Sequence, residues 1–377
     1  MSTIKVNNLE SSTGGGVAAK LTSVNGGQLS NRNIIINGAI TVSQRQETTQ
    51  TTVPHDTSFY TVDRFAVFDK IDGGNNFTYQ QTTAPVPDGF SHALKINTAI
   101  ADTSISADNY AFFYQIVEGK NIQQANLGTS AAKPLTLSFH VYSNKTGTYT
   151  VGLVNQGTFN RTFLKEFTIS SSGTWEKKTI TFPAITDGTW NDVRVQWCLA
   201  AGSNFQGSAD TLLTTTELGT SNQVNLASAV NNSFHITGIQ LEIGEIATEF
   251  EHRSFGQELA LCQRYACKWW NHGDTTNNHS RFQSGYYTTS SQAVFFLNHP
   301  VPMRATDGKS LTHNINVIES LTPGGNSNNL SIMGDGSSNM ITPILLSSIS
   351  NGTANAIHVC RIGGAQTNWY IIISNEL

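Results

Sequence analysis

Apolar and polar positions alternate in many short segments over the first half of the chain. In the segment LTLSFHVYS, residues 135–143, every second residue is apolar up to Val141, which is the period of a strand with one buried face. Similar patterns predict strands at residues 77–82, 92–99, 110–117, 135–143, 147–155, 163–169, 175–182 and 192–200. Glycine, asparagine and aspartate turns separate these segments, so they predict an antiparallel sandwich.

The hydrophobic period changes between Phe234 and Trp270. Residues 239–243 alternate as a strand, Gly244 marks a turn, and from Ser254 the apolar residues recur at helical spacing as far as Trp269. This pattern predicts that one β-domain closes here and that a linking helix at residues 254–271 leads to another domain.

Residues 272–377 return to short strand-like segments, among them SGYYTT, AVFFLNH, TPILLSSIS and NWYIIIS. They predict a second, C-terminal β-sandwich. The last segment, around Trp369 to Ile373, is strongly apolar and needs cover on both faces, which either the core of this sandwich or a subunit interface would supply. The predicted fold class is therefore all-β, with two antiparallel sandwiches joined by a helix.

Several segments of this chain resemble bacteriophage tail fibres and receptor-binding proteins. They are NIIINGA and VSQR within residues 31–46, YTVDRF at 60–65, GIQLEIG at 238–244, a TEFE tail and ELALCQRY at 258–265. The resemblance covers about residues 30–270 and depends on the two ends of that range. It implies that residues 32–253 form a jelly-roll domain of the kind found in carbohydrate-binding modules.

The resemblance also implies a function. It predicts a structural protein of the virion, a homotrimeric tail fibre that recognises the host surface, most simply through a glycan. Residues 1–31 are polar and rich in glycine, and they begin with an STIKV segment similar to those that start phage fibres. We interpret them as a virion-attachment segment, with a flexible tail as the alternative. A fibre that decorates the capsid is a second possible location.

Composition supports a surface protein that uses hydroxyl and amide groups. Only 13% of the residues are charged and the net charge is −4, which disfavours nucleic acid and anionic membranes as partners. The N-terminus has no apolar core typical of a signal peptide, and no segment is long and apolar enough to span a bilayer. We therefore predict synthesis in the host cytoplasm and a final location in the virion. The four cysteines have no zinc-site spacing and are expected to be reduced and mostly buried.

Aromatic residues next to polar ones are the candidate ligand-binding residues, because sugar rings stack on aromatic faces while amides and charges bind the hydroxyls. In the first sandwich, Trp190 and Trp175 each stand at or just before the start of a predicted strand. The alternative is that these rings pack at the edge of the hydrophobic core. In the second sandwich the candidates include Tyr286 and Tyr287, for which packing in the core is again the alternative. The predicted set is Trp190, Asn191, Asp192, Arg194, Tyr286, Tyr287, His299 and Trp369.

The sequence predicts no catalytic residue and no metal site. Glu242, Glu245 and Glu249 belong to the closing strand and its tail, where a solvated surface position is expected, and no motif of a known hydrolase is present. His272 and His279 are the closest histidine pair and fit a polar loop. A structural calcium ion is possible but cannot be placed, because no calcium-binding loop motif occurs. We therefore expect no enzyme. A short hydrolase of surface polysaccharide and a stand-alone carbohydrate-binding module remain the alternatives.

Overall fold

The computed structural model describes residues 31–45, 48–270, 281–315, 318–320, 325–327, 329–333, 337–349, 357–362 and 370–376. The predicted attachment segment lies, except for Asn31, outside the described residues. Trp369, His272 and His279 lie outside them as well.

The first part of the chain is a jelly-roll sandwich of antiparallel strands. In chain order its strands are β1 (Thr51–Thr52), β2 (Phe59–Tyr60), β3 (Ala66–Lys70), β4 (Phe77–Thr82), β5 (Ala93–Thr98), β6 (Tyr110–Val117), β7 (Leu135–Ser143), β8 (Gly147–Asn155), β9 (Thr162–Ile169), β10 (Glu176–Phe182), β11 (Val193–Ala201), β12 (Leu212–Leu213) and β13 (Ser233–Ile243). A four-residue helix, α1 (Gly119–Ile122), follows β6. One sheet has the order β1-β4-β5-β13-β7-β10 and the other the order β12-β9-β8-β11-β6-β3-β2. The predicted strands at 77–82, 110–117, 135–143 and 147–155 are confirmed at both ends.

The core of this sandwich lies between the two sheets and is rich in aromatic rings. Trp197 is at its centre, with its ring stacked on Phe113 at 4.9 Å and set edge-on to Phe139 at 5.9 Å. All three side chains are almost completely buried. They alternate along their strands with residues that face outward. The two-residue period of the sequence therefore predicts correctly which side chains lie inside the sandwich.

A second helix, α2 (Phe255–Gln263), follows β13 and begins where the sequence predicts. Ser254 caps it, and Gln257 completes a capping box. The helix ends at Gln263, however, so the predicted extent of 254–271 is wrong at its C-terminal end. Residues Ala266–Trp270 form strand β14 instead, because they pair with the apolar strand near the C-terminus. That pairing overrides the helical spacing that includes Trp269.

The remaining strands form the second sandwich. They are β15 (Arg281–Thr289), β16 (Gln292–Asn298), β17 (Ser310–His313), β18 (Ile318–Ser320), β19 (Gly325–Ser327), β20 (Asn329–Ile332), β21 (Ile341–Ser347), β22 (Ile357–Ile362) and β23 (Tyr370–Ser374). A sheet of order β14-β23-β17 faces a sheet of order β19-β18-β22-β15-β16-β21-β20. Strand β23 is the middle strand of its sheet, and Ile371 and Ile373 enter the core. The chain itself therefore covers this apolar strand.

The sequence segments that resemble phage fibres meet at one place, which we call the junction: residues 31–45, 60–65, 238–265 and 375–376. Asn33 donates from its amide to the carbonyl of Ile239 at 3.0 Å and accepts from the backbone of Leu241. Glu258 of helix α2 accepts from the backbone N–H of Asn37 at 2.6 Å. Helix α2 thus packs on the entry segment of the same chain, with Cys262 against Ile36 and Val42.

Buried ion pairs fasten the second sandwich to the first across the junction. Glu376 is paired with both Arg45 and Arg64, and Arg45 also reaches Asp63 at 3.4 Å. The guanidinium carbon of Arg64 lies 3.4 Å from the centre of the Tyr265 ring. Because each buried charge has a partner of opposite sign, the cost of removing it from water is offset.

Among the described residues, no helix has the length and apolar character needed to cross a membrane. Cys198, Cys262 and Cys267 are unpaired and buried, as the sequence predicts for most of the cysteines. Burial raises the pKa of Cys262 well above its ordinary value, so its thiol stays protonated.

Candidate functional site

A polar cleft of about 640 Å³ opens where the first sandwich meets helix α2 and the second sandwich. Its walls come from helix α1 and the loop after it, from the loop before β11, from Arg264 just before β14, and from Arg304 between β16 and β17. The lining residues are Glu118, Gly119, Lys120, Ile122, Gln123, Asn126, Leu127, Thr129, Trp190, Asn191, Asp192, Arg264 and Arg304. A cleft of this volume is within the range of small-ligand sites.

Three of the residues predicted from the sequence, Trp190, Asn191 and Asp192, lie side by side in this cleft. Trp190 is half-buried, with its indole N–H donating to the carbonyl of Asp187 at 3.0 Å. This bond holds the ring in one orientation. Asp192 accepts the backbone N–H of Gly119 at 2.8 Å, while Asn191 is exposed.

Gly119 is needed for this arrangement, because the backbone of helix α1 passes close to the backbone of Asn191. A Cβ at position 119 would overlap the carbonyl oxygen of Asn191. The close approach brings the start of α1 against the loop that carries Trp190. The cleft floor is therefore fixed by backbone contact as well as by the Asp192 bond.

The opposite wall is an ion pair between Glu118 and Arg264. The guanidinium donates to both carboxylate oxygens, at 3.1 and 2.9 Å, and the Tyr265 hydroxyl donates to the same carboxylate at 2.6 Å. Burial by itself would raise the pKa of Glu118, but these hydrogen bonds and the charge of Arg264 outweigh it and lower the pKa. Glu118 is therefore a carboxylate near neutral pH and no proton donor.

Two further cations face the cleft without a carboxylate partner among the described residues. Lys120 is exposed on helix α1, and Arg304 donates from Nε to the carbonyl of Asn375 at 3.3 Å. Both carboxylates of the cleft are already engaged, Glu118 by Arg264 and Asp192 by a backbone N–H. The cleft therefore offers hydrogen-bond donors and positive charge beside one aromatic ring.

Arg194 does not belong to this cleft, which corrects its grouping with Trp190 in the sequence. As the second residue of β11 it faces outward from the sheet, away from the sandwich core. There it lies among Phe112, Tyr114 and Phe159. Val193 is the first residue of β11 and points into the core, so Arg194 points to the opposite face. The preceding residues Trp190, Asn191 and Asp192 belong to a loop and line the cleft instead.

Of the described candidate residues in the second sandwich, only Tyr286 has a side chain open to solvent, at 41% exposure. Tyr287 is fully buried in the core, and His299 is buried with Nε2 2.8 Å from the hydroxyl of Thr342. Burial, with a smaller effect from the charge of Lys309, lowers the pKa of His299 to about 4. The prediction that Tyr287 and His299 face a ligand is therefore wrong. The alternation of β15 turns Tyr287 inward, and His299, just after the end of β16, is buried against Thr342.

Glu242 also differs from expectation, since it is buried rather than solvated. Its carboxylate accepts from the backbone N–H and the hydroxyl of Thr248, at 3.0 and 2.5 Å, and so holds the TEFE tail against β13. Glu245 and Glu249 are exposed, as predicted. Within the described ranges no group of three or more histidine, cysteine or acidic side chains is placed to hold a metal ion.

The cleft contains residues that sequence reasoning did not select, namely Glu118, Lys120, Arg264 and Arg304. Glu118 and Lys120 are neighbours at helix α1, but Arg264 and Arg304 are far from them in sequence and come from beyond the first sandwich. The only available signal was the ELALCQRY segment, which contains Arg264. It points to the junction rather than to a ligand.

No family model and no curated protein matches the chain. Solved structures with local likeness include the enzymatically active domain of tailspike protein 4 of bacteriophage CBA120, at 9% identity and TM-score 0.30. That match covers 56% of this chain and 21% of the tailspike chain. Others are a CBM4 structure, at 12% identity and TM-score 0.28 over 55% of this chain and 97% of that one, and TmCBM61 in complex with β-1,4-galactotriose, at 10% identity and TM-score 0.29 over 56% and 99%. With identities and scores this low, they support no argument about function.

Proposed function

We propose that this chain is a receptor-binding tail fibre protein of a bacteriophage and that it recognises a host-surface glycan in the cleft around Trp190. The observation that carries the glycan proposal is the cleft itself. It combines one fixed aromatic ring with amide, hydroxyl and cationic groups, which is the chemistry that binds sugar hydroxyls and ring faces. The phage assignment is supported by the sequence segments that meet at the junction.

The remaining parts of the proposal follow from that resemblance. The chain would be a homotrimer in the virion, attached to the tail through residues 1–31 and without catalytic activity. The alternative location is the capsid. Immunogold labelling of intact virions distinguishes the tail from the capsid.

A hydrolase of surface polysaccharide is disfavoured by the chemistry of the cleft. Glycoside hydrolysis needs a protonated carboxylic acid as well as a carboxylate, but Glu118 has a lowered pKa and is bound by Arg264 and Tyr265. Asp192 is held by the backbone of Gly119. Release of reducing sugar from bacterial polysaccharide, lost in Glu118→Gln, would overturn this view.

The direct test is binding of the full-length protein to an array of purified bacterial capsular polysaccharides and lipopolysaccharides. We expect selective binding that falls about tenfold or more in Trp190→Ala, because the stacking surface is lost. Tyr286→Ala is the matched control, an exposed aromatic residue outside the cleft, and should bind as the original protein does. Equal binding by Trp190→Ala and the original protein would exclude the cleft.

The trimer is tested separately by light scattering of the purified protein. A mass near three times 40.9 kDa is expected, and a monomer would contradict the fibre proposal without affecting the cleft.

A further inference from the structure

Arg194 is a buried cation on the outer face of the first sandwich. It is 8% exposed, and its guanidinium carbon lies 5.0, 5.7 and 5.3 Å from the ring centres of Phe112, Tyr114 and Phe159. Phe112 and Tyr114 come from β6, the neighbour of β11 in the sheet. We call Arg194 and these three rings the arginine cage.

The arginine cage has no negative charge of its own. In the described parts of the chain no carboxylate pairs with Arg194, and its Nε has no hydrogen-bond partner. The other well-buried arginines among the described residues each have an acidic partner: Arg45 and Arg64 pair with Glu376, and Arg253 pairs with Glu258. Burial without a counter-charge lowers the pKa of Arg194 to about 10. A buried, unpaired guanidinium is costly, which makes Arg194 an exception that needs a reason.

The cage opens to solvent at Phe159. This ring is 43% exposed, and its residue has φ of +51°, a backbone conformation that phenylalanine rarely adopts. The Thr216 hydroxyl donates to the Phe159 carbonyl and so holds the residue in place. Of the three guanidinium nitrogens, only Nε is fully buried without a partner. Neither terminal nitrogen is bonded to a described residue or fully enclosed, so both remain available to a ligand.

We propose that the arginine cage binds the carboxylate of an acidic sugar. The two terminal nitrogens of a guanidinium match the two oxygens of a carboxylate, and an aromatic ring at the opening offers a surface to the sugar ring beside it. The bound carboxylate supplies the counter-charge that the chain does not. Since Arg194 does not line the Trp190 cleft, this site is independent of the function proposed above.

The test measures binding of sodium D-glucuronate to the full-length protein by ligand-observed NMR. D-glucose is the neutral match, and inorganic phosphate is the probe for a bare anion site. We expect glucuronate to bind and glucose not to bind under the same conditions. Glucuronate affinity should fall roughly tenfold or more in Arg194→Lys, which keeps the charge but loses the paired donors.

A second variant keeps the proposal testable if Arg194→Lys does not fold. Phe159→Asn leaves Arg194 intact, and asparagine tolerates the positive φ at this position. It should weaken glucuronate binding, whereas Tyr286→Ala should not. Three results would overturn the proposal: no glucuronate binding, equal affinity for phosphate and glucuronate, or loss of binding in Trp190→Ala with none in Arg194→Lys.

Discussion

The junction and the Trp190 cleft are neighbours that share Arg264, yet they are built in opposite ways. At the junction, polar side chains are directed inward and are occupied by one another, as Arg64, Asp63 and Glu376 illustrate. In the cleft, Lys120, Asn191 and part of Trp190 remain open to solvent. The segments that resemble phage fibres belong to the junction. The segments with a resemblance therefore indicate how the two sandwiches are joined. The residues that remain available to a ligand come from segments that show no such resemblance.

The strongest test of this difference is Arg64→Met at the junction. It should lower the free energy of unfolding by about 3–5 kcal/mol, because Glu376 loses a buried partner and the Ile116 carbonyl loses its donor. Urea denaturation measures the change. The double variant Arg64→Met/Glu376→Gln should cost less than the sum of the two single variants. A loss below about 1 kcal/mol in the single variant would show that the junction does not depend on this pair.

The second prediction concerns His299, a residue predicted as a ligand contact that is structural instead. Its pKa in the folded protein is about 4, below its ordinary value of 6.5. The unfolded chain therefore binds a proton more readily. The stability associated with a neutral His299 is complete above about pH 6.5 and is lost as the pH falls toward 4, by up to about 3 kcal/mol.

Melting curves between pH 7 and pH 4 measure this loss, with His299→Gln as the comparison. Glutamine can keep a hydrogen bond to Thr342 but has no proton to gain, so its melting temperature should fall less over this range. Identical pH profiles would mean that His299 is not the group responsible.

The strands of the first sandwich were predictable because a buried face imposes a two-residue period, which LTLSFHVYS shows directly. The end of helix α2 was not, because Ala266–Trp270 becomes a strand only by pairing with Tyr370–Ser374, about a hundred residues away. Burial of Glu242 was missed for a similar reason, since its partner is created by the fold of the TEFE tail. For the cleft, local sequence located the Trp190 loop but not the partners that long-range contacts bring to it.

A smaller effect is expected from Gly38→Ala, which tests the NIIINGA segment. A Cβ at this position would overlap the carbonyl oxygen of Ile239 in β13. The chain has to shift to relieve the overlap, at a cost of about 2 kcal/mol. Gly256→Ala in helix α2 is the matched control, because nothing lies within 4 Å of its added Cβ. If both variants unfold at the same urea concentration as the original protein, the close packing of this segment on β13 is not required.

The smallest change in stability should come from Tyr286→Ala, and it decides whether the second sandwich contributes a recognition surface. Tyr286 is 41% exposed, whereas its neighbour Tyr287 is fully buried. Removing the Tyr286 ring should change the free energy of unfolding by less than about 0.5 kcal/mol. Because the fold is unaffected, any loss of glycan binding in this variant would report a contact with the ligand. We expect none, since the fixed aromatic ring of the proposed site is Trp190. Loss of binding in Tyr286→Ala with full binding in Trp190→Ala would move recognition to the second sandwich and leave the junction as the means of presenting it.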